Sequence, residues 1–144
     1  MKFILILLFV VTSVNARAAQ REYAFPSKIN TAEHYVFYSH GFIVEGDDLT
    51  PIHPRWGVYN FPSVQKALDD DSYVLIAHHR PEGVSPIDYA KRLAGEVKQL
   101  ITAGVPPQNI TLTGFSRGGA ITILASNELK NARVNVVILA GWQD

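Results

Sequence analysis

The sequence predicts an α/β domain, built as three layers in which a mostly parallel sheet of about four strands lies between helices. Four short apolar, β-branched or aromatic runs recur along the chain, each with the near-continuous apolar character of a strand covered on both faces. Segments with helical spacing of apolar residues separate them, and this alternation favours right-handed crossovers between parallel strands. The predicted strands are residues 35–38, 73–77, 110–113 and 134–140.

Helix signals lie between these strands. The clearest helix begins at Ser85, a residue suited to an N-cap, with Pro86 at the first helical position and Asp88 three residues after the cap. Apolar residues then recur every three or four positions as far as residue 101, and Gly104 ends the helix. Two further helices are predicted, over residues 64–70 behind Ser63 and over about 117–129.

Composition limits the possible partners. The chain has 144 residues, which suits one domain, and its 13 basic and 13 acidic side chains cancel. Because the chain has no net charge, it has no strong electrostatic field to attract polyanions. Neither nucleic acid nor an anionic membrane surface is therefore an expected partner. The sequence contains no cysteine, which excludes disulfide cross-links and a lipid-modified N-terminal cysteine.

The N-terminal residues have the pattern of a cleaved secretory signal. Lys2 precedes an apolar run over residues 3–11 that is too short to span a bilayer, and Ala16-Arg17-Ala18 gives the small-x-small pattern of a cleavage site. We therefore expect a signal peptide over residues 1–18, a polar arm over 19–33 and the folded domain over 34–144. The expected location is secreted or periplasmic, with no membrane anchor after cleavage.

The stretch Gly114-Phe115-Ser116-Arg117-Gly118 joins the third predicted strand to the third predicted helix. A sharp strand-to-helix turn needs glycines because the backbone passes close to its neighbours. The strain lifts the serine oxygen clear of the sheet, and the helix N-terminus behind it favours developing negative charge. The spacing is weak evidence alone, but its placement favours Ser116 as a nucleophile over a plain tight turn with a capping serine.

A second segment supports this interpretation. The first predicted strand runs into Ser39-His40-Gly41-Phe42, so His40 and Gly41 follow its carboxyl end. Open parallel sheets bind ligands at such an edge, where strand order reverses. The N–H groups of Phe42 and Arg117 would then donate to one oxyanion, as acyl transfer requires.

Together, the His40-Gly41-Phe42 segment, the Gly114–Gly119 turn and the alternating elements around them resemble the α/β-hydrolase family, over roughly residues 33–143. The resemblance implies an incomplete α/β-hydrolase fold that corresponds to the family's third to sixth strands. It implies a serine esterase with Ser116 in the nucleophile elbow and the N–H groups of Phe42 and Arg117 as the oxyanion hole. His40, Gly41 and Phe115 would line a pocket for a small ester-like substrate, and no cofactor is implied.

The chain departs from the family pattern after the nucleophile. The family places its acid and its histidine there, but all five histidines of this chain precede Ser116. Asp144 is a candidate for the acid, although a frayed terminal residue is the alternative. His78 and His79 end a strand that is expected two positions from the Ser116 strand, roughly 10 Å away. We therefore expect a hydrolase truncated at its C-terminus and inactive in this form.

Other functions compete with this one. The segment over residues 42–61, which includes Glu45, His53 and Trp56, is long enough to border a pocket or to be a surface loop. A non-catalytic module of the same fold would hold a ligand or a partner at the edge of the sheet near His40 and Ser116, and its unpaired last strand would accept a strand from a partner. A flavodoxin-like phosphate binder using Gly118 and Gly119 is the third possibility. The histidine spacings match no metal-binding motif, so no metal is expected.

Overall fold

The computed structural model describes residues 23–130 and 132–140. The strands are β1 Tyr35–Ser39, β2 Ile52–His53, β3 Gly57–Val58, β4 Val74–Ile76, β5 Ile110–Phe115 and β6 Asn135–Leu139. Four of them form one parallel sheet in the order β4-β1-β5-β6, and β2 and β3 form a separate antiparallel hairpin. The predicted fold class is confirmed. The helices are α1 Phe61–Leu68, α2 Pro86–Thr102 and α3 Arg117–Leu129, with 3-10 turns at Phe42–Val44 and Pro107–Asn109.

Helices cover both faces of the sheet. On one face α2 and α3 pack against alternate strand residues, including Phe37 and Leu112, which are almost completely buried. On the other face α1 covers Tyr38 and Leu75. The helices thus form the outer two of three layers, with a separate apolar core on each side of the sheet.

Helix α2 begins as its sequence predicts. Ser85 is the N-cap, and its hydroxyl accepts a hydrogen bond from the Asp88 N–H at 3.3 Å. The second predicted helix differs at its start, because α1 begins at Phe61 rather than at residue 64. Its N-cap is Asn60, whose side chain accepts from the Ser63 N–H at 2.9 Å. Asparagine caps as well as serine does, and Pro62 is tolerated in the first turn.

The last strand differs from its prediction. The apolar run over residues 134–140 predicts a strand buried on both faces, but every residue of β6 is exposed. Val136 to Leu139 retain 38–45% of their accessible surface. Within the described residues β6 pairs with β5 alone and forms the edge of the sheet. Its apolar side chains are therefore only partly covered.

Residues 23–33 of the predicted arm lie against the domain. The Ala77 N–H donates to the Tyr23 carbonyl oxygen at 2.8 Å, and Phe25 and Ile29 pack against the core beneath α2 and α3. The proposed signal peptide falls outside the described residues. None of the helices in the described ranges has both the length and the apolar character needed to cross a membrane.

Candidate functional site

Ser116 occupies the junction between β5 and α3 in a strained conformation. Its backbone has φ 54° and ψ −121°, a combination that side-chain-bearing residues rarely adopt. Three main-chain hydrogen bonds hold it there: its N–H donates to the Leu139 carbonyl oxygen at 2.9 Å, and its carbonyl oxygen accepts from Gly119 and Ala120. Neighbouring structure on both sides of the serine thus maintains the strain.

The two glycines of the turn are required by close packing. A Cβ atom at Gly118 would overlap the carbonyl oxygen of Ser39 at the end of β1. A Cβ atom at Gly114 would overlap the carbonyl oxygen of Gly118 and approach the Thr122 hydroxyl to 2.5 Å. Because neither glycine carries a Cβ atom, α3 can begin in direct contact with the carboxyl ends of β1 and β5. The turn therefore brings Ser116 beside the segment that follows β1.

That segment carries Phe42, one of the two predicted oxyanion donors, and Arg117, the other, begins α3. Phe42 and Arg117 are the first residues of a 3-10 turn and of α3, so their N–H groups have no partner within their own helices. Neither group donates a hydrogen bond to another described residue. A Cβ atom built at Gly41 would lie 3.6 Å from the Ser116 Cβ, and the Arg117 guanidinium lies 4.8 Å from the centre of the Phe42 ring. The two donor segments are therefore in contact beside the serine.

A cavity of ≈ 670 Å³ opens above Ser116. The β2–β3 hairpin forms one wall, and the wall includes Trp56, of which 73% is exposed. Most of the surface is aromatic or aliphatic, which suits an apolar group of a ligand. The lining residues are Gly41, Phe42, Ile43, His53, Trp56, Gly57, Val58, Tyr59, Phe115, Ser116 and Ala140. Two of the three expected lining residues, Gly41 and Phe115, are among them.

His40 is the expected lining residue that the structure places elsewhere. Its side chain is fully buried beside Phe61 and His79 and does not line the cavity. Nδ1 lies 2.8 Å from the Gly41 carbonyl oxygen, and Nε2 accepts from the Arg80 N–H at 2.8 Å. With both ring nitrogens engaged, Nδ1 carries the proton, and His40 joins two loops rather than contacting a ligand.

Burial also fixes the ionisation of this region. The pKa of His40 is lowered to about 3, first because burial penalises the charged ring and second because Arg80 repels it. Burial raises the pKa values of Tyr38 and Tyr59, whose hydroxyl groups lie 2.7 Å apart. His40 is therefore neutral and the two tyrosines are un-ionised near neutral pH, so neither tyrosine presents a basic oxygen.

Three other histidines, His53, His78 and His79, have partners of their own. His78 Nε2 lies 2.9 Å from a Glu96 carboxylate oxygen, and His79 Nε2 donates to the Val44 carbonyl oxygen at 2.6 Å. His53 lines the cavity, where its ring stacks on Trp56 and its Nδ1 accepts from the Arg55 N–H at 3.1 Å. All five histidines lie in the described ranges, and none of them is hydrogen-bonded to Ser116 there. The predicted acid, Asp144, lies outside the described residues.

Sequence reasoning missed a buried ion pair behind the cavity. Arg80 is completely buried, and its Nε donates to Glu45 Oε1 at 3.1 Å. No sequence pattern indicates that either residue is buried. Arg80 follows two histidines and Glu45 lies in a long loop, and both residue types are ordinarily solvated. No group of three or more candidate metal ligands occurs within the described part of the chain.

Comparison with known proteins finds a distant sequence similarity. No protein-family profile matches the chain. Over 122 residues, 84% of its length, it is 25% identical to a "probable carboxylesterase" of Oryza sativa subsp. japonica. The chain spans only 37% of the length of that relative. The similarity supports a relationship to hydrolases of the esterase type.

Proposed function

We propose that the protein is a serine hydrolase that cleaves a carboxylic ester, with Ser116 as the nucleophile and the N–H groups of Phe42 and Arg117 as oxyanion donors. The observation that carries this proposal is the strained Ser116, which stands at a strand-to-helix turn on the floor of a mostly apolar cavity. Strain of this kind persists only where the surrounding structure maintains it, and it concentrates at reactive positions. The similarity to a carboxylesterase supports the same reaction class.

The chemistry follows from these parts. Ser116 Oγ would attack the ester carbonyl carbon, and the two N–H groups would stabilise the oxyanion that forms. Collapse of that intermediate would release the alcohol, which takes up the proton lost by the serine. Water would then hydrolyse the acyl-enzyme to the free acid. The apolar wall of the cavity suits an ester with an aromatic or short aliphatic acyl group.

The general base is the missing part of this machinery. A serine is a weak nucleophile without a base within hydrogen-bond reach, and no described histidine has that position. His53 shares the cavity, but its Nδ1 accepts from Arg55, which leaves the proton of the neutral ring on Nε2. We therefore propose that residues outside the described ranges supply the base and the acid, and that the described residues alone are inactive.

A non-catalytic binding module is the second candidate. The lack of a base at Ser116 among the described residues favours it. In that case the cavity would hold a ligand without covalent chemistry, and Ser116→Ala would leave the affinity for that ligand unchanged.

A fluorophosphonate probe tests the first proposal against the second. The protein is isolated from its source, and its intact mass is measured with and without the probe. One added probe on Ser116, lost in Ser116→Ala and kept in the control Ser63→Ala, is the expected result. A protein that gains no probe would overturn the hydrolase proposal. The same spectra test our proposal of export, because cleavage after Ala18 makes Ala19 the first residue of the mature chain.

A further inference from the structure

We infer that Glu45 is a positioning residue. Its carboxylate bridges Arg80 and Arg117 and thereby fixes the spacing between the two segments that carry the proposed oxyanion donors, the loop after β1 with Phe42 and the start of α3 with Arg117. This inference rests on the proposed function, since it assigns Glu45 a task in that reaction. The Glu45 side chain is 2% exposed. Its Oε1 accepts from Arg80 Nε at 3.1 Å, and its Oε2 lies 3.3 Å from Arg117 Nη1. One buried carboxylate thus contacts two arginines from separate parts of the fold.

The Arg80 side of this bridge fixes the segment after β1. The Arg80 Nη2 group donates to the carbonyl oxygen of His40 and, at 3.4 Å, to that of Gly41. These two carbonyl groups directly precede Phe42, and the Glu45 N–H donates to the Phe42 carbonyl oxygen at 2.9 Å. The peptide that carries the Phe42 N–H is therefore held on both sides, by Arg80 before it and by Glu45 after it.

The Arg117 side fixes the nucleophile turn. Arg117 follows Ser116 directly, and its main-chain N–H is the second proposed donor. Its guanidinium contacts the Phe42 ring on one side and the Glu45 carboxylate on another. Any change in the separation of the two donor segments would therefore break or strain contacts of this side chain. Because oxyanion stabilisation depends on donor placement within a few tenths of an ångström, such a change would lower the rate.

The incomplete satisfaction of the cluster argues against a purely structural role. Among the described residues, Glu45 Oε2 and Arg80 Nη1 are buried without a hydrogen-bond partner. A buried ion pair is weak evidence for a stabilising role, because replacing the whole pair by apolar residues of similar volume is often neutral or stabilising, whereas removing one partner alone is destabilising.

Glu45→Gln tests the bridge in the protein that reacts with the probe. The glutamine carbonyl oxygen can still accept from Arg80, whereas its NH2 group would face Arg117 in place of the Oε2 atom. We expect kcat for an aryl ester, and the rate of Ser116 phosphonylation, to fall about tenfold or more. KM should change less than twofold. The urea midpoint of unfolding should fall, because the buried Arg80 loses its counter-ion, so kcat is compared under conditions in which the variant is fully folded. Asp47→Asn, an exposed carboxylate of the same segment, is the matched control and should change none of these.

A second variant keeps the test decisive if Glu45→Gln folds poorly. Arg117→Gln removes the partly exposed guanidinium and leaves the Glu45–Arg80 bond in place. It should lower kcat by the same factor, and the double variant should lower it no further. If the fold-losses in kcat of the two single variants multiply in the double variant, or if kcat is unchanged in Glu45→Gln, the inference is overturned while the hydrolase proposal stays intact. A parent protein that does not react with the probe would overturn both.

Discussion

The Arg80 N–H donates a 2.8 Å hydrogen bond to Nε2 of His40, two residues that lie 40 positions apart in the chain. This bond requires an unprotonated Nε2 and therefore a neutral imidazole. The loop after β4 is thereby fastened to the loop after β1, and the loop after β1 carries the proposed oxyanion donor Phe42. The ionisation of one buried ring thus bears on the integrity of the site.

Acid should destabilise the fold through His40. The folded-state pKa is about 3, whereas an unfolded histidine titrates near 6.5. Between these values the unfolded chain binds a proton that the folded chain does not. The free energy of unfolding should therefore fall as the pH drops from about 6.5 towards 3, by about 1.4 kcal/mol per pH unit from this group.

Urea titrations of the parent and of His40→Gln between pH 7 and pH 4 measure this dependence. The variant should be less stable at pH 7 and should show a shallower decline with falling pH. Thr122→Val, a buried change that removes no titrating group, controls for lost stability alone and should keep the slope of the parent. Equal slopes for the parent and His40→Gln would contradict the prediction.

Adding a methyl group to Gly118 should damage the fold, whereas adding one to Gly95 should strengthen it. The Gly118 Cβ would overlap the Ser39 carbonyl oxygen, which is main chain and has little freedom to move. We expect Gly118→Ala to cost about 2–3 kcal/mol. Gly95 lies inside α2 with nothing within 4 Å of its Cβ position, so Gly95→Ala should gain about 0.5–1 kcal/mol. Thermal unfolding of both variants measures the difference, and equal effects would show that the turn tolerates bulk.

Replacing Ser116 by glycine should separate strain from chemistry. Glycine adopts φ 54° and ψ −121° freely, whereas alanine keeps the strain of the parent. Ser116→Gly should therefore exceed Ser116→Ala in free energy of unfolding by about 1 kcal/mol or more. Both variants should lose reaction with fluorophosphonate. If chemical denaturation finds Ser116→Gly no more stable than Ser116→Ala, the conformation is not strained in solution.

Trp56 should affect substrate preference more than turnover. Its ring stacks on His53 with centroids 4.2 Å apart, and both side chains line the cavity. Trp56→Ala should raise KM for an aryl ester about five- to tenfold and leave kcat nearly unchanged. A contact that is equally strong in the bound substrate and in the transition state affects binding alone. An acetyl ester of a small alcohol should be less affected. Ile87→Ala, an exposed change outside the cavity lining, is the control, and a selective fall in kcat of Trp56→Ala would contradict the prediction.

Local signals made the frame of this fold predictable. The Ser85 cap, the apolar runs and the strand–serine–helix junction each depend on a few adjacent residues, and the elements they predict are present. The hairpin of β2 and β3 was not predicted, because two strands of two residues, between Pro51 and Asn60, carry no detectable alternation. Long-range contacts were equally hidden. Nothing near Glu45 in the sequence indicates that it lies between Arg80 and Arg117.

The candidate site was predicted where it depends on the chain direction and missed where it depends on packing. Ser116, Phe42 and Arg117 follow strand ends, so a parallel sheet brings them to one edge. His40 follows a strand end too, but its ring turns into the core because Phe61 and His79 surround it with apolar and aromatic surface. The cavity wall around Trp56 comes from a loop whose path no periodicity reveals.

The hydrogen bond from Ser116 to Leu139 has a consequence for how the molecule forms. The turn that carries Ser116 is anchored by β6. Strand β5 pairs with β1, and this pairing places residue 110 beside residue 35. Contacts of such high sequence separation close slowly, because the entropy of the intervening loop is lost before the contact forms. During synthesis, Ser116 leaves the ribosome before the strand that fixes its geometry. Its strained conformation therefore depends on a segment made later and forms only after the chain has been extended as far as Leu139.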